Sequence, residues 1–356
     1  MKVGILTYHR AISYGAILQA IATRTYFESL GNEAYFVDYF PDYHRSKYRL
    51  FNISSLKRIN VFRSLLDLYD SIAGYSVRKQ RLRVFHPFIE EYIEPFCLAF
   101  DKFSDFDLIV YGSDQIWRKQ PGLGMRFNPV YFGERICSQA KKISFAASMG
   151  IINLNADDKL FLKKNLSCFN KVGVRESSLQ RALDGIGISA THNIDPTFLL
   201  NSNQWDLLLK TKRLIDGEYA LYYKVGYGLD ENKIEQYCAR KKLKLIKVYS
   251  FEYSSKSDFN PDPSEFASLV KYASFVFTTS FHGLAFSLIY RKQFIVSCEA
   301  NSERLKSLLF SLGLNGRFVN KEDVFEKVCE KAIDYSNIES CLDILIEKSK
   351  RFLLDI

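Results

Sequence analysis

The chain has 356 residues, 47% of them hydrophobic and 15% aromatic, and carries a formal net charge of +9. That length predicts about two domains, and that composition predicts soluble globular cores rather than a disordered or fibrous chain. No apolar run approaches the ~20 residues that span a bilayer, and the seven cysteines, odd in number and without a Cys-x-x-Cys pair, argue against a disulfide framework or a structural zinc site.

Lys2 to Thr7 reads as a first strand rather than an export signal, which predicts a cytoplasmic protein. Tyr8 to Gly15 is a polar turn. Ala16 to Leu30 predicts a helix, with Leu18, Ile21, Ala22 and Thr25 on one face and Gly31 where a C-cap belongs. Glu33 to Tyr39 reads as a second strand, which completes a βαβ unit. Asp42 to about Ile93 is an insertion, expected to be mostly helical. Between His44 and His86 it holds ten Lys or Arg against Asp67 and Asp70, a net +8 and nearly the whole excess of the chain. The plainer reading is a solvated helical face. The functional one is an anionic membrane surface or a phosphate-bearing lipid carrier, to which each basic residue adds about 1 kcal/mol. No nucleic-acid motif supports that third class of partner.

The alternation then resumes. Strands are expected at Asp107–Tyr111, Lys142–Ala147, Lys171–Arg175 and Thr191–Ile194, with helices at Asp157–Phe169 and Ser177–Leu183. Asn201 to Gly217 looks like a change-over. A second series follows: strand Tyr219–Lys224, helix Asp230–Arg240, strand Leu243–Tyr249, helix Pro263–Tyr272, strand Phe275–Thr278, strand Gln293–Ser297 and helix Glu303–Leu312. Ile338 to Leu354 predicts a terminal helix that packs back on the first half. Strands alternating with helices imply parallel sheets covered on both faces. The expected units are residues 1–200 with the insertion at about 42–93, residues 201–336, and the helix 337–356.

One stretch concentrates the chemistry. Phe275 to Phe286 runs from an apolar strand through Thr279, Ser280, Phe281, His282 and Gly283 directly into a helical pattern. Ligands bind past the carboxyl ends of strands in open α/β sheets, and a helix start favours anions. His282 can trade protons near neutral pH, although a lone histidine after a buried strand is often only a core or capping residue. Other strand ends are polar too: Tyr8, His9, Arg10, Tyr14 and Gly15; Ser113, Asp114 and Trp117; Ser144 and Ser148; Arg175 and Glu176; Asp195 and Thr197; Glu299, Asn301 and Arg304. Asp114 alone could be an Asx-turn, and Arg175 could pair with a surface acid. Arg304 opens a helix, where a cation is misplaced unless an anion joins it. Together these residues describe a cleft suited to phosphate or carboxylate on one side and a sugar on the other. No Walker loop, dinucleotide fingerprint, zinc triad or Gly-x-Ser-x-Gly elbow is present.

The chain resembles the polysaccharide pyruvyl transferase family. The resemblance rests on Gly4-Ile5-Leu6-Thr7-Tyr8-His9 with Tyr14-Gly15-Ala16-Ile17-Leu18-Gln19-Ala20, on Gly112-Ser113-Asp114-Gln115-Ile116-Trp117, and on Ser144-Phe145-Ala146-Ala147-Ser148. It continues through Val174-Arg175-Glu176, Asp195-Pro196, Ser280-Phe281-His282-Gly283-Leu284-Ala285-Phe286 and Asn301-Ser302-Glu303-Arg304. It implies two Rossmann-like α/β domains in a GT-B-like arrangement with an interdomain cleft. It also implies phosphoenolpyruvate as donor and a sugar of a surface polysaccharide or its lipid-linked precursor as acceptor, joined as a pyruvate ketal. His282 and Arg175 then look like the catalytic residues. Ser280, Phe281, Gly283, Leu284, Asn301 and Arg304 are expected around the donor. Tyr8, His9, Tyr14, Gly15, Asp114 and Trp117 are expected around the acceptor, with no metal and no cofactor beyond the co-substrate. Ser280 stands where many relatives have Arg, which makes Arg304 the candidate for the missing cation. Ser13 and Arg118 stand where Asn is usual. The competing expectations are a nucleotide-sugar-dependent glycosyltransferase of GT-B type and a basic scaffold acting through residues 44–86.

Overall fold

The computed structural model describes residues 1–50, 75–99, 106–134, 139–226, 228–251, 257–297, 303–319 and 325–355. The middle of the expected insertion, residues 51–74, and Asn301 lie outside the described residues.

Two parallel sheets carry the chain. The first has seven strands in the order β3-β2-β1-β4-β5-β6-β7: β1 Lys2–Leu6, β2 Glu33–Asp38, β3 Cys97–Ala99, β4 Leu108–Tyr111, β5 Lys141–Ala147, β6 Lys171–Val174 and β7 Thr191–His192. The strand order reverses between β1 and β4, and a doubly wound sheet opens its crevice at such a point. The second sheet has four strands in the order β11-β10-β8-β9, with β8 Tyr219–Lys224, β9 Lys244–Tyr249, β10 Phe275–Thr278 and β11 Gln293–Val296. Leu108 to Tyr111 and Phe275 to Thr278 are buried at every position. Strands covered on both faces demand such unbroken apolar runs. The fold class expected from the sequence, two Rossmann-like α/β units, is the one found.

Helix α1 (Tyr14–Ser29) starts two residues earlier than its periodicity suggested and is buried nearly all round from Tyr14 to Phe27. A helix without a polar face must be enclosed by protein. Here the first sheet covers one side and the second unit the other, where Tyr14 stacks on Phe266 at 4.4 Å and donates to Pro261 O at 2.9 Å. Gly31 takes φ 76° just past the helix end, as its C-terminal position required.

From the insertion the structure describes a short helix, α2 (Asp42–Arg45), and a long one, α3 (Tyr75–Tyr92). Arg81 of α3 is 1% exposed. Its guanidinium donates to Asn260 Oδ1 at 3.1 Å, to Tyr249 O at 2.9 Å and to the Tyr14 hydroxyl. One of the ten cations read as surface charge is therefore an internal strut between the two units.

The remaining helices are α4 (Ala156–Leu166), α5 (Ser177–Asp184), α6 (Ser202–Leu209), α7 (Glu231–Lys241), α8 (Pro263–Tyr272), α9 (Phe281–Ile289), α10 (Glu303–Ser311), α11 (Phe325–Glu330) and α12 (Tyr335–Leu354). Helix α6 occupies the stretch read as a plain change-over. A capping box between Asn201 and Gln204 starts it. Strand β3 and helix α11 were also unforeseen, both being too short to show a period. Strand β7 is shorter than expected because Ile194 N bonds Ser349 Oγ of α12 instead of a strand neighbour. That contact, with Lys171 Nζ donating to Phe352 O at 3.2 Å, brings α12 back onto the first sheet. At its other end Tyr335 donates to Lys292 O in the second unit. Among the described residues no helix is long and apolar enough to cross a membrane, and the five described cysteines are unpaired.

Candidate active site

Strand β10 delivers the central turn. Thr278 Oγ1 donates to Tyr223 O at 2.8 Å and accepts from Ser280 N at 3.0 Å, which stops the strand and sets Ser280 at the N-cap of α9. Gly283 is required there, since a Cβ would lie 2.2 Å from Thr278 Oγ1. Leu284 N–H donates to Ser280 O at 3.0 Å, so it is committed to the helix and not free for an anion. The first-turn amides of Phe281, His282 and Gly283 are the donors α9 leaves over.

His282 points from α9 at the first unit. Its imidazole meets the first turn of α1: a Cβ on Gly15 would lie 1.8 Å from His282 Nδ1. Its Nε2 is 3.6 Å from Asp195 Oδ2. Asp195 follows β7, is fully buried, and accepts from Arg175 Nη1 at 2.5 Å, Ser113 Oγ at 3.1 Å, Thr197 N at 3.0 Å and Thr197 Oγ1 at 2.8 Å. Burial opposes its charge, but His282, Arg175 and the Thr197 amide outweigh it and hold the carboxyl far below the usual range.

Arg175 follows β6 and Arg304 opens α10. Both guanidiniums lie over the Phe281 ring, at 4.7 and 5.8 Å. Both approach Asp114 Oδ1, Arg175 Nη2 at 3.6 Å and Arg304 Nη1 at 3.7 Å. Asp114 sits past β4 at φ 67°, in the left-handed region. Burial resists its ionisation, while Arg175, Arg304 and His282 favour it more strongly and lower it. Arg304 is pushed down to about 10 by burial and by the neighbouring Arg175. Glu176, buried and bonded to the Ser148 hydroxyl, is raised by burial. Buried Arg175 Nε, Arg175 Nη2 and Arg304 Nε have no hydrogen-bond partner among the described residues, nor has His282 Nε2. A cavity of about 20 Å³ lies among Arg175, Asp195, Phe281 and Arg304, room for roughly one water.

The structure therefore brings His282, Arg175, Arg304, Phe281, Asp114 and Gly15 to one place. It takes others elsewhere. Tyr14 is sealed between the units against Phe266 and Arg81. Trp117 is fully buried in the first core, its indole donating to Tyr131 O at 2.9 Å and its ring stacked on Phe132. His9 is fully buried beside Phe36 and Asp38. As placed, these three offer a sugar no surface. Tyr8 is 8% exposed and its hydroxyl is engaged with Gln115 O and Gln120 Nε2. Asp195, Ser113 and Glu176, which the sequence offers only as polar strand ends without a role, belong to the cluster too. Their signal was weak: each is a polar residue at the end of an apolar strand, and Asp195 is followed by Thr197 at Asx-turn spacing.

No curated protein matches the chain in sequence. Among solved structures it is similar to UDP-N-acetylglucosamine 2-epimerase from Rickettsia bellii, at 10% identity over 100% of this chain and 96% of that one, TM-score 0.47. It is similar also to UDP-GlcNAc 2-epimerase of Methanocaldococcus jannaschii, at 12% identity over 97% and 99%, TM-score 0.46. A third is the glycosyltransferase SsfS6 of Streptomyces sp. SF2575, at 11% identity over 99% and 96%, TM-score 0.38. Likeness at this level says nothing of what the chain acts on. The sequence pattern says more: the model of the polysaccharide pyruvyl transferase family matches residues 14–297, from the first turn of α1 to just past β11, and the chain belongs to that family.

Proposed function

We propose that the chain transfers the pyruvyl group of phosphoenolpyruvate onto two hydroxyls of a sugar in a surface polysaccharide or its lipid-linked precursor, leaving a pyruvate ketal. The observation that carries this reading is the set of three buried guanidinium nitrogens, Nε and Nη2 of Arg175 and Nε of Arg304, that lack an acceptor among the described residues. Buried donors need partners, and planar guanidiniums suit carboxylate and phosphate. Family membership supplies the reaction class that such an anion would serve.

In this reading Arg175, Arg304 and the first-turn amides of α9 hold the phosphate and carboxylate of the donor. C3 of the enol gains a proton, one sugar hydroxyl adds to C2 and loses its proton, and the C2–O bond to phosphate breaks. The second hydroxyl then adds to C2, gives up its proton and closes the ring, and phosphate departs with one proton. His282 is the group that exchanges protons with the reacting atoms, a role worth typically about 10²–10⁴-fold. Asp195 orients the imidazole and, through Arg175, the anion clamp. The cavity at the cluster is water-sized, so donor entry requires Arg304 or Phe281 to shift. In this reading the arginines and amides meet the donor's charge without a metal. In this reading the basic stretch 44–86, Arg81 excepted, serves the phosphate of a lipid-linked acceptor or the anionic membrane around it.

The test is phosphate release from phosphoenolpyruvate over a panel of lipid-linked and synthetic glycosides, with thermal shifts by phosphoenolpyruvate and by uridine diphosphate alongside. Acceptor-dependent release that His282→Ala lowers at least a hundredfold, with the melting temperature kept, supports the reading. A shift by uridine diphosphate without any by phosphoenolpyruvate turns it over in favour of a nucleotide-sugar enzyme.

A further inference from the structure

Three neighbouring parallel strands bring one group each to a point away from the arginine cluster. His9 follows β1, Asp38 closes β2 and Cys97 opens β3. An imidazole nitrogen, a carboxylate oxygen and the Sγ atom there all lie within 4.8 Å of one another. The His9 ring is fully buried and parallel to Phe36, centroids 5.3 Å apart, so its plane is fixed. Its Nδ1 lies 3.0 Å from Thr7 O. A carbonyl only accepts, so Nδ1 carries the hydrogen, and in the neutral ring Nε2 keeps its lone pair. That buried Nε2 has no hydrogen-bond partner among the described residues and faces Asp38 Oδ1 at 3.6 Å. Two acceptors facing each other at this distance repel, the imidazole side being buried and the carboxylate only partly exposed, and a cation between them removes the conflict.

We propose that His9, Asp38 and Cys97 bind a single divalent transition ion of the zinc kind, with water completing its shell. The separation fits: two ligands each about 2.0–2.1 Å from a tetrahedral ion lie about 3.4 Å apart, against 3.6 Å between His9 Nε2 and Asp38 Oδ1. The donor set fits as well. Imidazole nitrogen with sulfur selects zinc or cobalt over magnesium or calcium, which prefer oxygen alone. The Nδ1 contact to Thr7 O is the outer hydrogen bond that metal-binding histidines carry. Asp38 is oriented in the same way, because Arg10 Nε and Nη2 hold its two oxygens at 2.6 and 3.0 Å. Each carboxylate oxygen accepts twice, so a lone pair remains for the ion. Without metal the Cys97 thiol donates to Ile93 O at 3.4 Å. On binding, the S–H bond breaks, its proton leaves to solvent and a sulfur–metal bond forms, with no change of oxidation state. The ion would pin the ends of three strands together. Cysteine spacing could not reveal it, since only one ligand is a cysteine.

The test uses the full chain, stripped with chelator and titrated with Co²⁺, then with Zn²⁺. One Co²⁺ per chain is expected, with a near-ultraviolet sulfur-to-cobalt band that Cys97→Ser abolishes and Cys168→Ser leaves intact. Zn²⁺ should raise the melting temperature of the wild type and not of Cys97→Ser, while His9→Gln should weaken Co²⁺ binding at least tenfold. Wild-type chain that shows no cobalt band, or a band that survives Cys97→Ser, overturns the proposal and leaves His9 and Asp38 as a direct contact within the fold. The wild-type titration decides this even where a variant fails to fold.

Discussion

Two buried imidazoles in this molecule each stand 3.6 Å from an aspartate, His282 from Asp195 and His9 from Asp38, and each has an Nε2 without a hydrogen bond among the described residues. The pairs look alike and their neighbours differ. Around His282 the excess is of donors: two arginines with three guanidinium nitrogens unmatched among the described residues, lying over Phe281. Around His9, among the described residues, Arg10 gives Nε and Nη2 to Asp38 and Nη1 to Glu94, and the third neighbour is a thiol. The first arrangement wants an anion and the second a cation. A histidine–aspartate pair is therefore not a function in itself. The balance of donors and acceptors around it decides what it can hold.

The comparison is broken most forcefully at the arginines. Arg175→Gln leaves Asp195 charged and buried without its cation, which should lower stability by about 3–5 kcal/mol. Arg10→Gln acts on a pair partly open to solvent and should cost no more than about 1 kcal/mol. Denaturant titration of both variants checks the contrast, and equal losses would erase it. Next comes Gly15→Ala. Its methyl group would land on the His282 ring, and a displacement of about 1 Å at a reacting group can lower turnover about a hundredfold. Phosphate release should fall accordingly, with a much smaller change in melting temperature.

Acid sharpens the same contrast. Asp195 is depressed when folded, so its contribution to stability is complete above the unfolded carboxyl value of about 4 and is lost as pH falls below it. Melting temperatures followed from pH 6 downward should drop less steeply for Asp195→Asn than for the wild type. The smallest effect on turnover is expected at Trp117→Phe. It removes one buried N–H···O bond, leaves Tyr131 O without its donor, and should cost about 1 kcal/mol. Turnover should stay unchanged. A raised KM for the acceptor would return Trp117 to the sugar site.

Much of the fold was legible because its signals are local. Phe275 to Thr278, Tyr219 to Lys224 and Pro263 to Tyr272 fall on the expected residues, the last because Asp262 and Glu265 form a capping box ahead of Pro263. The turn carrying His282 was visible for the same reason. What sequence cannot carry is the facing of a side chain and the meeting of distant strand ends. Tyr14 and Trp117 look like sugar-stacking aromatics on paper, and packing places one between the units and the other in the first core. Asp195 became visible as the hub only once β6, β7 and the loop after β4 stood together, with Arg175 and Ser113 both turned toward it.

Arg81 gives the two halves a stiff connection. Its charge is satisfied by Tyr14 on one side and by Tyr249 and Asn260 on the other, away from water. Drawing the halves apart would strip a desolvated cation on the first half of both its acceptors on the second, Tyr249 O and Asn260 Oδ1, in one step. Partial separation thus gains little, and opening of the crevice should behave as a switch between closed and open rather than as a gradual breathing.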